Sequence, residues 1–458
     1  MKRFVAPVLA TLALSACGGG APSSAWYPPA SRDPGAGSPL GAPSPTVAAE
    51  PAPESHAADV DVAVAGKAMA APSGPPAVAQ AFAGVKAGEW DDNANYRDFL
   101  GYLANHAGRG IDPLDVSNRQ FIAVTDASGR GVPNCALTIT SADRSARAKL
   151  TTLASGRAVL FPAALGLAKG DGGSLAVSAK CGPNGAVVQG TIDTREPDGL
   201  TQLTIGEARP DFKKPVVEVA FILDTTGSMS EEIEGVKETL DKVVREVGGA
   251  ATIRVGLVEY KDQGDAFVTK AYPFTTDLAA FRKQIDGIHA SGGGDTPEDV
   301  NSGLAATLQE LKWTSDSAAR VAFLIADAPP HLDYPQSVSY TASAKRAASM
   351  GIKLHTISAS GMDDVGQAAF RQIAQFTGGT NMFVLRGGAG PQSTGAGDAK
   401  SSCGGTHQNF TSGNLDELIL RKVKLEVAAL KANPLAIAGR GQDENAKPCD
   451  KRVLLVAD

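Results

Sequence analysis

The spacing of apolar positions changes along the chain, and each spacing predicts a different kind of structure. Between residues 118 and 208, short runs of alternating apolar and polar residues are separated by turn residues, a pattern typical of half-buried strands. The predicted strands are Phe121–Thr125, Cys135–Thr140, Lys149–Leu153, Ala158–Phe161, Ser174–Cys181, Ala186–Ile192 and Leu200–Ile205. Strands without intervening helices favour a small all-β sandwich over residues 118–208.

From residue 215 onward, short apolar runs alternate with stretches of helical period. The predicted strands are Val216–Leu223, Ile253–Val258, Phe267–Phe274, Val321–Ala326, Leu354–Ser358 and Met382–Leu385. The predicted helices are Glu231–Val247, Asp277–Ile288, Glu298–Leu311, Val338–Met350 and Val365–Phe376. This alternation predicts an α/β domain over residues 215–386 with a doubly wound, mostly parallel sheet.

The flanking segments have other patterns. Residues 18–85 are dominated by Ala, Pro, Ser and Gly, which cannot bury a core, and we expect a disordered tether that reaches on the order of 50 Å. Residues 86–117 hold a short helical pattern, with Tyr96 and Phe99 on its apolar face. Residues 387–458 are expected to form a glycine-rich loop, a closing helix over Leu415–Leu430 and a C-terminal tail.

The first 17 residues have the features of an export signal. Lys2 and Arg3 precede an apolar run that is too short to span a membrane as a stable helix. The run ends in Leu14-Ser15-Ala16-Cys17, which resembles the lipobox of bacterial lipoproteins, whose cysteine carries the lipid. The resemblance implies export, lipidation at Cys17 and an anchor in the cell envelope. Because Gly18 and not an aspartate follows Cys17, it implies the outer membrane if the organism has two membranes. An ordinary cleaved signal with an incidental cysteine is the alternative.

Charge argues against nucleic acid as a partner. The 43 basic and 49 acidic residues give a formal net charge of −6, and no basic block that could follow a phosphate backbone is present in the sequence.

Four cysteines remain besides Cys17, an even number in an oxidising compartment. Alternation turns Cys135 and Cys181 to the inner faces of their predicted strands, so a buried disulfide across the two sheets is the simplest expectation, with two buried thiols as the alternative. Three connectivities exist, and the strand argument favours Cys135 with Cys181 and Cys403 with Cys449. The second bond would tie the tail to the glycine-rich loop.

Polar residues gather just after the predicted strands of the α/β domain, where open parallel sheets bind their ligands. Asp224, Thr226 and Ser228 follow the first strand, and Asp327 follows the strand Val321–Ala326. Thr296 lies between them in the run Gly-Gly-Asp-Thr-Pro-Glu.

These residues resemble the metal-ion-dependent adhesion site of the von Willebrand factor A family. The family's run of an Asp, any residue, a Ser, any residue and a Ser is matched by Asp224, Thr226 and Ser228, with threonine in place of the first serine. Its later threonine and aspartate are matched by Thr296 and Asp327. Within the predicted sandwich, Val124–Leu137 resembles the start of a carboxypeptidase-regulatory-type or immunoglobulin-like spacer domain.

The residue types suit a hard divalent cation. Carboxylates and hydroxyls are the oxygen ligands that Mg²⁺ and Ca²⁺ take, and Mg²⁺ requires octahedral geometry at roughly 2.1 Å. Two carboxylates, with hydroxyls and waters in the other positions, leave the cation able to attract an Asp or Glu of another protein. We expect Mg²⁺, with Mn²⁺ or Ca²⁺ as alternatives.

Each part of this constellation also has a structural explanation. Ser228 with Glu231 forms a capping-box pattern, and Thr296 before Pro297 would be a good helix N-cap. Asp327 could close a strand-to-helix turn. The coincidence of all parts at strand ends, in the order of the family, favours metal binding.

The sequence therefore predicts a lipid-anchored, non-enzymatic protein that binds another protein through a metal, in adhesion or in scaffolding of the envelope. One alternative is a metal-dependent hydrolase, but the sequence contains no HExxH, Walker A or GxSxG motif. The other is a structural envelope protein with a metal-free fold. His331 is interpreted as a packed or solvated histidine near the site, and Asp262, Asp265, Asp363 and Asp364 as exposed loop charges.

Overall fold

The computed structural model describes residues 85–436 apart from 168–172, 183–184, 186, 247–250, 315–316, 336, 360, 385–410 and 432. Its strands are β1 (Lys86–Trp90), β2 (Gln120–Thr125), β3 (Ala136–Thr140), β4 (Arg147–Thr151), β5 (Arg157–Leu160), β6 (Ser174–Lys180), β7 (Val187–Asp193), β8 (Leu200–Thr204), β9 (Val216–Asp224), β10 (Thr252–Tyr260), β11 (Thr269–Thr275), β12 (Ala319–Ala326), β13 (Ile352–Ser358), β14 (Asn381–Val384) and β15 (Thr411–Asn414). Its α-helices are α1 (Tyr96–His106), α2 (Ile233–Glu246), α3 (Leu278–Asp286), α4 (Val300–Gln309), α5 (Tyr340–Met350), α6 (Asp364–Thr377) and α7 (Leu415–Ala429). A short 3₁₀ helix covers Gly227–Glu231.

An eight-stranded sheet organises the larger part of the chain, in the order β11-β10-β9-β12-β13-β14-β1-β15. Strands β10, β9, β12, β13 and β14 are parallel, whereas β11, β1 and β15 pair antiparallel at the edges. The chain moves from β9 to one neighbour, β10, and later returns to the other side of β9 as β12. The predicted α/β class with a mostly parallel sheet is confirmed. The point at which the strand order reverses lies between β9 and β12.

The two faces of the sheet are covered by different helices. On β9, Val219 and Phe221 pack into a cluster with α2, α3 and α7, whereas Ala220 and Ile222 pack into a cluster with α4, α5 and α6. This explains why the central strands are continuously apolar, because both of their faces are buried.

Strands β2–β8 form the β region, which contains a three-stranded sheet, β5-β2-β8, and a four-stranded sheet, β4-β3-β6-β7. Buried residues of both sheets, such as Ile122 and Leu137, share one hydrophobic cluster. The β region and the large sheet lie in one compact unit, so a separate sandwich domain stays a prediction.

A disulfide bond joins Cys135 and Cys181, the pairing that the strand argument favours. The two cysteines lie at the ends of β3 and β6, which are neighbours in one sheet with Ala136 opposite Lys180. The bond therefore links adjacent strands of one sheet, and the expectation that it crosses between the two sheets is wrong. Cys17, Cys403 and Cys449 lie outside the described residues.

Sequence analysis missed strands β1 and β15. It predicts only a helix in residues 86–117, but β1 precedes that helix and lies between β14 and β15 in the large sheet. Helix α1 then packs against α6. Asp92, which lies between β1 and α1, forms a buried ion pair with Arg371 of α6, whose Nε lies 3.0 Å from Asp92 Oδ2. Both segments thus belong to the same compact unit as the sheet.

Candidate metal site

Two aspartates meet at the carboxyl ends of the two central strands. Asp224 is the last residue of β9, and Asp327 directly follows β12. Strands β9 and β12 are parallel neighbours, with Leu223 opposite Ile325, so their carboxyl ends lie side by side. The strand order of the sheet reverses at this position, and open α/β sheets form their ligand sites at such a reversal.

Two hydroxyl groups connect these aspartates. Asp224 Oδ1 accepts hydrogen bonds from the backbone N–H of Thr226 at 2.9 Å and from its Oγ1 at 2.7 Å. The Oγ1 of Thr226 lies 3.1 Å from the Oγ of Ser228. Ser228 in turn donates to Asp327 Oδ1 at 3.1 Å. Four of the five predicted ligands therefore form one continuous chain of oxygen atoms, which we call the oxygen cluster: Asp224, Thr226, Ser228 and Asp327.

The cluster is buried at its base and open at one side. Asp224 and Thr226 are fully buried and Asp327 nearly so, whereas Ser228 is exposed. Burial, followed by the charge of Asp327, raises the pKa of Asp224 to about 7, against the opposing effect of its hydrogen bonds from Thr226 and Tyr260. Burial also raises the pKa of Asp327. Two acids that are costly to ionise together form a site where a cation would be stabilising.

Thr296, the fifth predicted ligand, is exposed, and its side chain makes no hydrogen bond to the oxygen cluster in the described part of the chain. Its loop nevertheless contacts the cluster. Gly227 N donates to Gly292 O at 2.9 Å, and a Cβ placed on Gly293 would lie 3.2 Å from Thr226 Cβ. The loop is thus held beside the cluster, and a role for Thr296 as a ligand stays a prediction.

Glu298 is a site residue that sequence analysis missed. Its side chain is buried, and its Oε2 has no hydrogen-bond partner among the described residues. Burial, and then the charges of Asp224, Asp262, Asp265 and Asp327, raises the pKa of Glu298 to about 8. The sequence does show an acid two residues after Thr296, but the helical pattern that begins at Glu298 predicts a helix start there and not a site residue.

The helix-capping explanations are wrong for two of these residues. Helix α4 is capped by Asp299, whose side chain accepts from Ser302 N at 2.9 Å, so Thr296 is not its N-cap. The hydroxyl of Ser228 donates to Asp327, and the 3₁₀ helix that contains Ser228 has no side-chain cap. Helix capping therefore does not account for Thr296 or for Ser228.

The last residue of β10, Tyr260, and the residue after it, Lys261, bond to the cluster and to the loops beside it. Tyr260 lies opposite Asp224 in the sheet and donates its hydroxyl to Asp224 Oδ2 at 3.3 Å. Lys261 donates its ammonium group to the carbonyl oxygens of Thr225 and Ser291. It therefore joins the loop after β9 to the glycine loop, while burial lowers its pKa.

Beside the cluster, Asp262 is not the exposed loop charge that was expected. It is buried and accepts a hydrogen bond from the Tyr334 hydroxyl at 2.9 Å. His331 stacks on the Tyr334 ring at 3.8 Å between centroids, which agrees with its interpretation as a packed histidine. Asp363 and Asp364 are exposed, and Asp265 is half-buried, with its carboxylate accepting from Gly293 N at 2.8 Å.

The donor set fits a hard cation. Among the described residues, no group of three or more His, Cys, Asp or Glu side chains is arranged to hold a metal. The oxygen cluster instead combines two carboxylates with two hydroxyls, which are ligands that Mg²⁺ accepts together with water. Among the described residues, neither aspartate has a Lys or Arg partner and Glu298 Oε2 has no hydrogen-bond donor, as expected of a cation site.

Comparison with known proteins agrees with the fold. The family model described as von Willebrand factor A domain matches residues 218–386. The human von Willebrand factor A domain-containing protein 7 is 37% identical over 119 residues, which cover 25% of this chain and 12% of that protein. The alpha-protein kinase vwkA of Dictyostelium discoideum is 34% identical over 119 residues, which cover 25% of this chain and 19% of that protein.

Among solved structures, the conserved hypothetical protein BatB from Bacteroides thetaiotaomicron is 14% identical with a TM-score of 0.33, covering 46% of this chain and 98% of that one. The family match covers most of β9, all of β10, β12, β13 and β14, and all residues of the oxygen cluster. The part of this chain that is similar to the von Willebrand factor A family is therefore residues 218–386.

Proposed function

We propose that this chain binds a partner protein through a divalent cation held by the oxygen cluster. The observation that carries the proposal is the continuous chain from Asp224 through Thr226 and Ser228 to Asp327, at the carboxyl ends of two adjacent strands. In the described part of the chain, no Lys or Arg forms an ion pair with either aspartate. A divalent cation would supply the missing positive charge.

Each residue has a distinct part in the proposed site. Asp224 and Asp327 supply negative charge, and Thr226 and Ser228 supply neutral oxygens. Glu298 adds a third carboxyl group close enough to interact electrostatically with both aspartates. A bound Mg²⁺ would contribute a Lewis-acidic centre able to accept a further oxygen ligand.

The exposure of Ser228 supports a ligand that approaches from solvent. A carboxylate of another protein matches the charge of such a centre, so the partner is expected to offer an Asp or Glu side chain. The mode of action is non-enzymatic, in adhesion or in scaffolding of an envelope complex.

Anchoring by a lipid on Cys17 would place the domain at the cell envelope, at the outer membrane in a bacterium with two membranes. No helix in the described residues is long and apolar enough to cross a membrane. The proposal of a lipid anchor rests on the sequence of the first 17 residues.

The test is a pull-down from envelope extracts with the full-length chain, with and without a chelator, repeated with Asp224→Ala. A partner should be recovered only by the wild-type protein with Mg²⁺ or Mn²⁺ present. The control is Asp364→Asn, which removes an exposed carboxylate from α6 and should retain the partner. Recovery of the same partner in chelator would refute metal-dependent binding.

A further inference from the structure

Three loops that border the oxygen cluster are strongly acidic. They cover residues 261–268, 289–299 and 327–339, and Lys261 is the one Lys or Arg in their sequences. Against it stand seven acids: Asp262, Asp265, Asp295, Glu298, Asp299, Asp327 and Asp333. We call these seven acids, together with Asp224, the acidic face.

The negative charge of the acidic face is poorly compensated. Among the described residues, no Lys or Arg forms an ion pair with any of its members, and Lys261 donates its ammonium group to two backbone carbonyl oxygens. On the adjoining helix α2, Lys237 pairs with Glu234. On the adjoining strand β11, Lys270 pairs with Glu259. A bound divalent cation and Lys261 would therefore supply three positive charges against eight acidic side chains.

His331 is the other group that could carry positive charge beside this face. Its Nδ1 lies 2.7 Å from Asp333 Oδ1, and its Nε2 lies 3.6 Å from Asp262 Oδ1. Even a protonated His331 would add only one charge, so the face stays negative.

The acids interact with one another and with a common neighbour. Burial, followed by the hydrogen bond to Asp262 and the charges of Asp262, Asp295 and Asp299, raises the pKa of Tyr334. Glu298 is 2% exposed, and its Oε2 has no hydrogen-bond donor among the described residues. A buried carboxyl oxygen without a donor is destabilising, so it points to a positively charged ligand at this face.

The arrangement of the acids decides between one further ion and several separate cations. In the described part of the chain, no group of three or more His, Cys, Asp or Glu side chains is arranged to hold a metal. The acids are spread over three loops instead of converging on one point. This spread favours several ammonium or guanidinium groups over a second metal ion.

Two members of the acidic face are accessible to a partner protein. Asp295 is exposed in loop 289–299, and the side chain of Asp333 is 77% exposed. Both loops border the oxygen cluster, whose open side is the exposed Ser228. A partner with further acids would be repelled here, whereas Lys or Arg side chains would be attracted.

We propose that the partner segment is basic, with Lys or Arg side chains on both sides of the Asp or Glu that binds the cation. This inference rests on the proposed function and names the chemical class of the partner. The carboxylate would bind the cation, and the basic side chains would pair with the acidic face at Asp295 and Asp333. Exposed ion pairs are individually weak, so several together are needed to change the affinity by about tenfold.

The test is calorimetric titration of the full-length chain, in Mg²⁺, with end-capped pentapeptides. One peptide has an Asp flanked by two Lys on each side, and the other has the same Asp flanked by Ser. The Lys-flanked peptide should bind at least about tenfold more tightly, and the difference should shrink as the salt rises from about 50 to about 500 mM. Equal affinities, or no heat from the Lys-flanked peptide up to roughly 10 mM, would overturn the basic class.

A third peptide, with Asn flanked by Lys, separates this proposal from the metal-dependent function. If it binds as tightly as the Lys-flanked Asp peptide and a chelator has no effect, the metal-dependent function fails while the basic class stands. If both Asp peptides bind equally and only with Mg²⁺, the basic class fails while the metal-dependent function stands.

Charge reversal tests the residues. Asp295→Lys should weaken the Lys-flanked Asp peptide at least about tenfold and strengthen a Glu-flanked one, a reversal that mere loss of structure would not produce. Glu310→Lys is the matched control, because it reverses an exposed charge at the C-cap of α4, roughly 15 Å along the helix from its start, and it should keep the wild-type preference. Asp333→Lys repeats the test if Asp295→Lys does not fold, and an unchanged preference in the folded variant contradicts the proposal.

Discussion

Ser228 donates its hydroxyl proton to Asp327 Oδ1 at 3.1 Å, although 99 residues separate them in the sequence. This bond joins the loop after β9 to the end of β12. It also sets the serine hydroxyl between two carboxyl groups, through Thr226 on one side and directly on the other.

Asp224→Ala should eliminate metal and partner binding while leaving a cooperative fold. The change removes a buried charge and relieves repulsion with Asp327, so the metal-free variant should melt close to metal-free wild type. Only wild type should gain stability from Mg²⁺ or Mn²⁺, by about 2.7 kcal/mol at a hundredfold excess over Kd. Calorimetric titration and thermal melts of both proteins check this, and equal metal affinity would remove Asp224 from the site.

Metal binding should strengthen as the pH rises from 5 to 8. The pKa of Asp224 is raised from 3.8 to about 7 and that of Glu298 from 4.5 to about 8. The folded protein therefore holds these protons more tightly than the unfolded chain does. The stability that these two acids contribute to the metal-free protein is fully present below their pKa values in the unfolded chain. It is lost as the pH rises through their pKa values in the folded protein.

The measurement is a series of thermal melts across this pH range with and without Mg²⁺. The increase in melting temperature produced by Mg²⁺ should grow with pH, because ionised carboxylates are the better ligands. An increase that is constant from pH 5 to 8 would contradict the involvement of acids with raised pKa.

Glu298→Gln should lower metal affinity by roughly tenfold and raise metal-free stability at pH 8. The amide keeps the volume of the side chain but removes a charge that interacts unfavourably with Asp224, Asp262, Asp265 and Asp327. Titration with Mg²⁺ and melts at pH 8 measure both effects. Glu310→Gln changes the exposed C-cap residue of α4, and as the matched control it should alter neither quantity.

Non-reducing peptide mapping should recover Cys135 linked to Cys181 and Cys403 linked to Cys449. The first bond closes a loop with a sequence separation of 46 and should contribute about 2–4 kcal/mol to stability. A crossed pair, such as Cys135 with Cys403, would contradict this prediction, because it would join the β region to the C-terminal part by a disulfide bond.

Cys17→Ala should release the protein from membranes, because its thiol is the acyl acceptor of the lipobox-like run. Membrane fractionation after salt and carbonate washes measures the effect. A variant that still sediments with membranes must be anchored elsewhere.

The strands and helices of the domain could be predicted because their apolar periods are strong. The strand Val216–Leu223, for example, is extended in the structure only by Asp224. The position of Glu298 could not be predicted, because its proximity to Asp224 depends on the path of the glycine loop. Strand β1 was missed because five residues, Lys86–Trp90, carry little periodicity. Its place depends on β14 and β15, which are far away in sequence.

The position of β1 makes the β region an insertion. The chain contributes one strand to the large sheet, leaves it to form β2–β8, and returns to the sheet at β9. Both ends of the β region are therefore fastened to the same body, unlike a module on a single linker. A fragment cut at the family boundaries 218–386 would lose β1, β15 and α7, which would expose β14 as an open edge and uncover one face of the core. For recombinant work, the smallest stable unit should accordingly begin before β1 and end after α7.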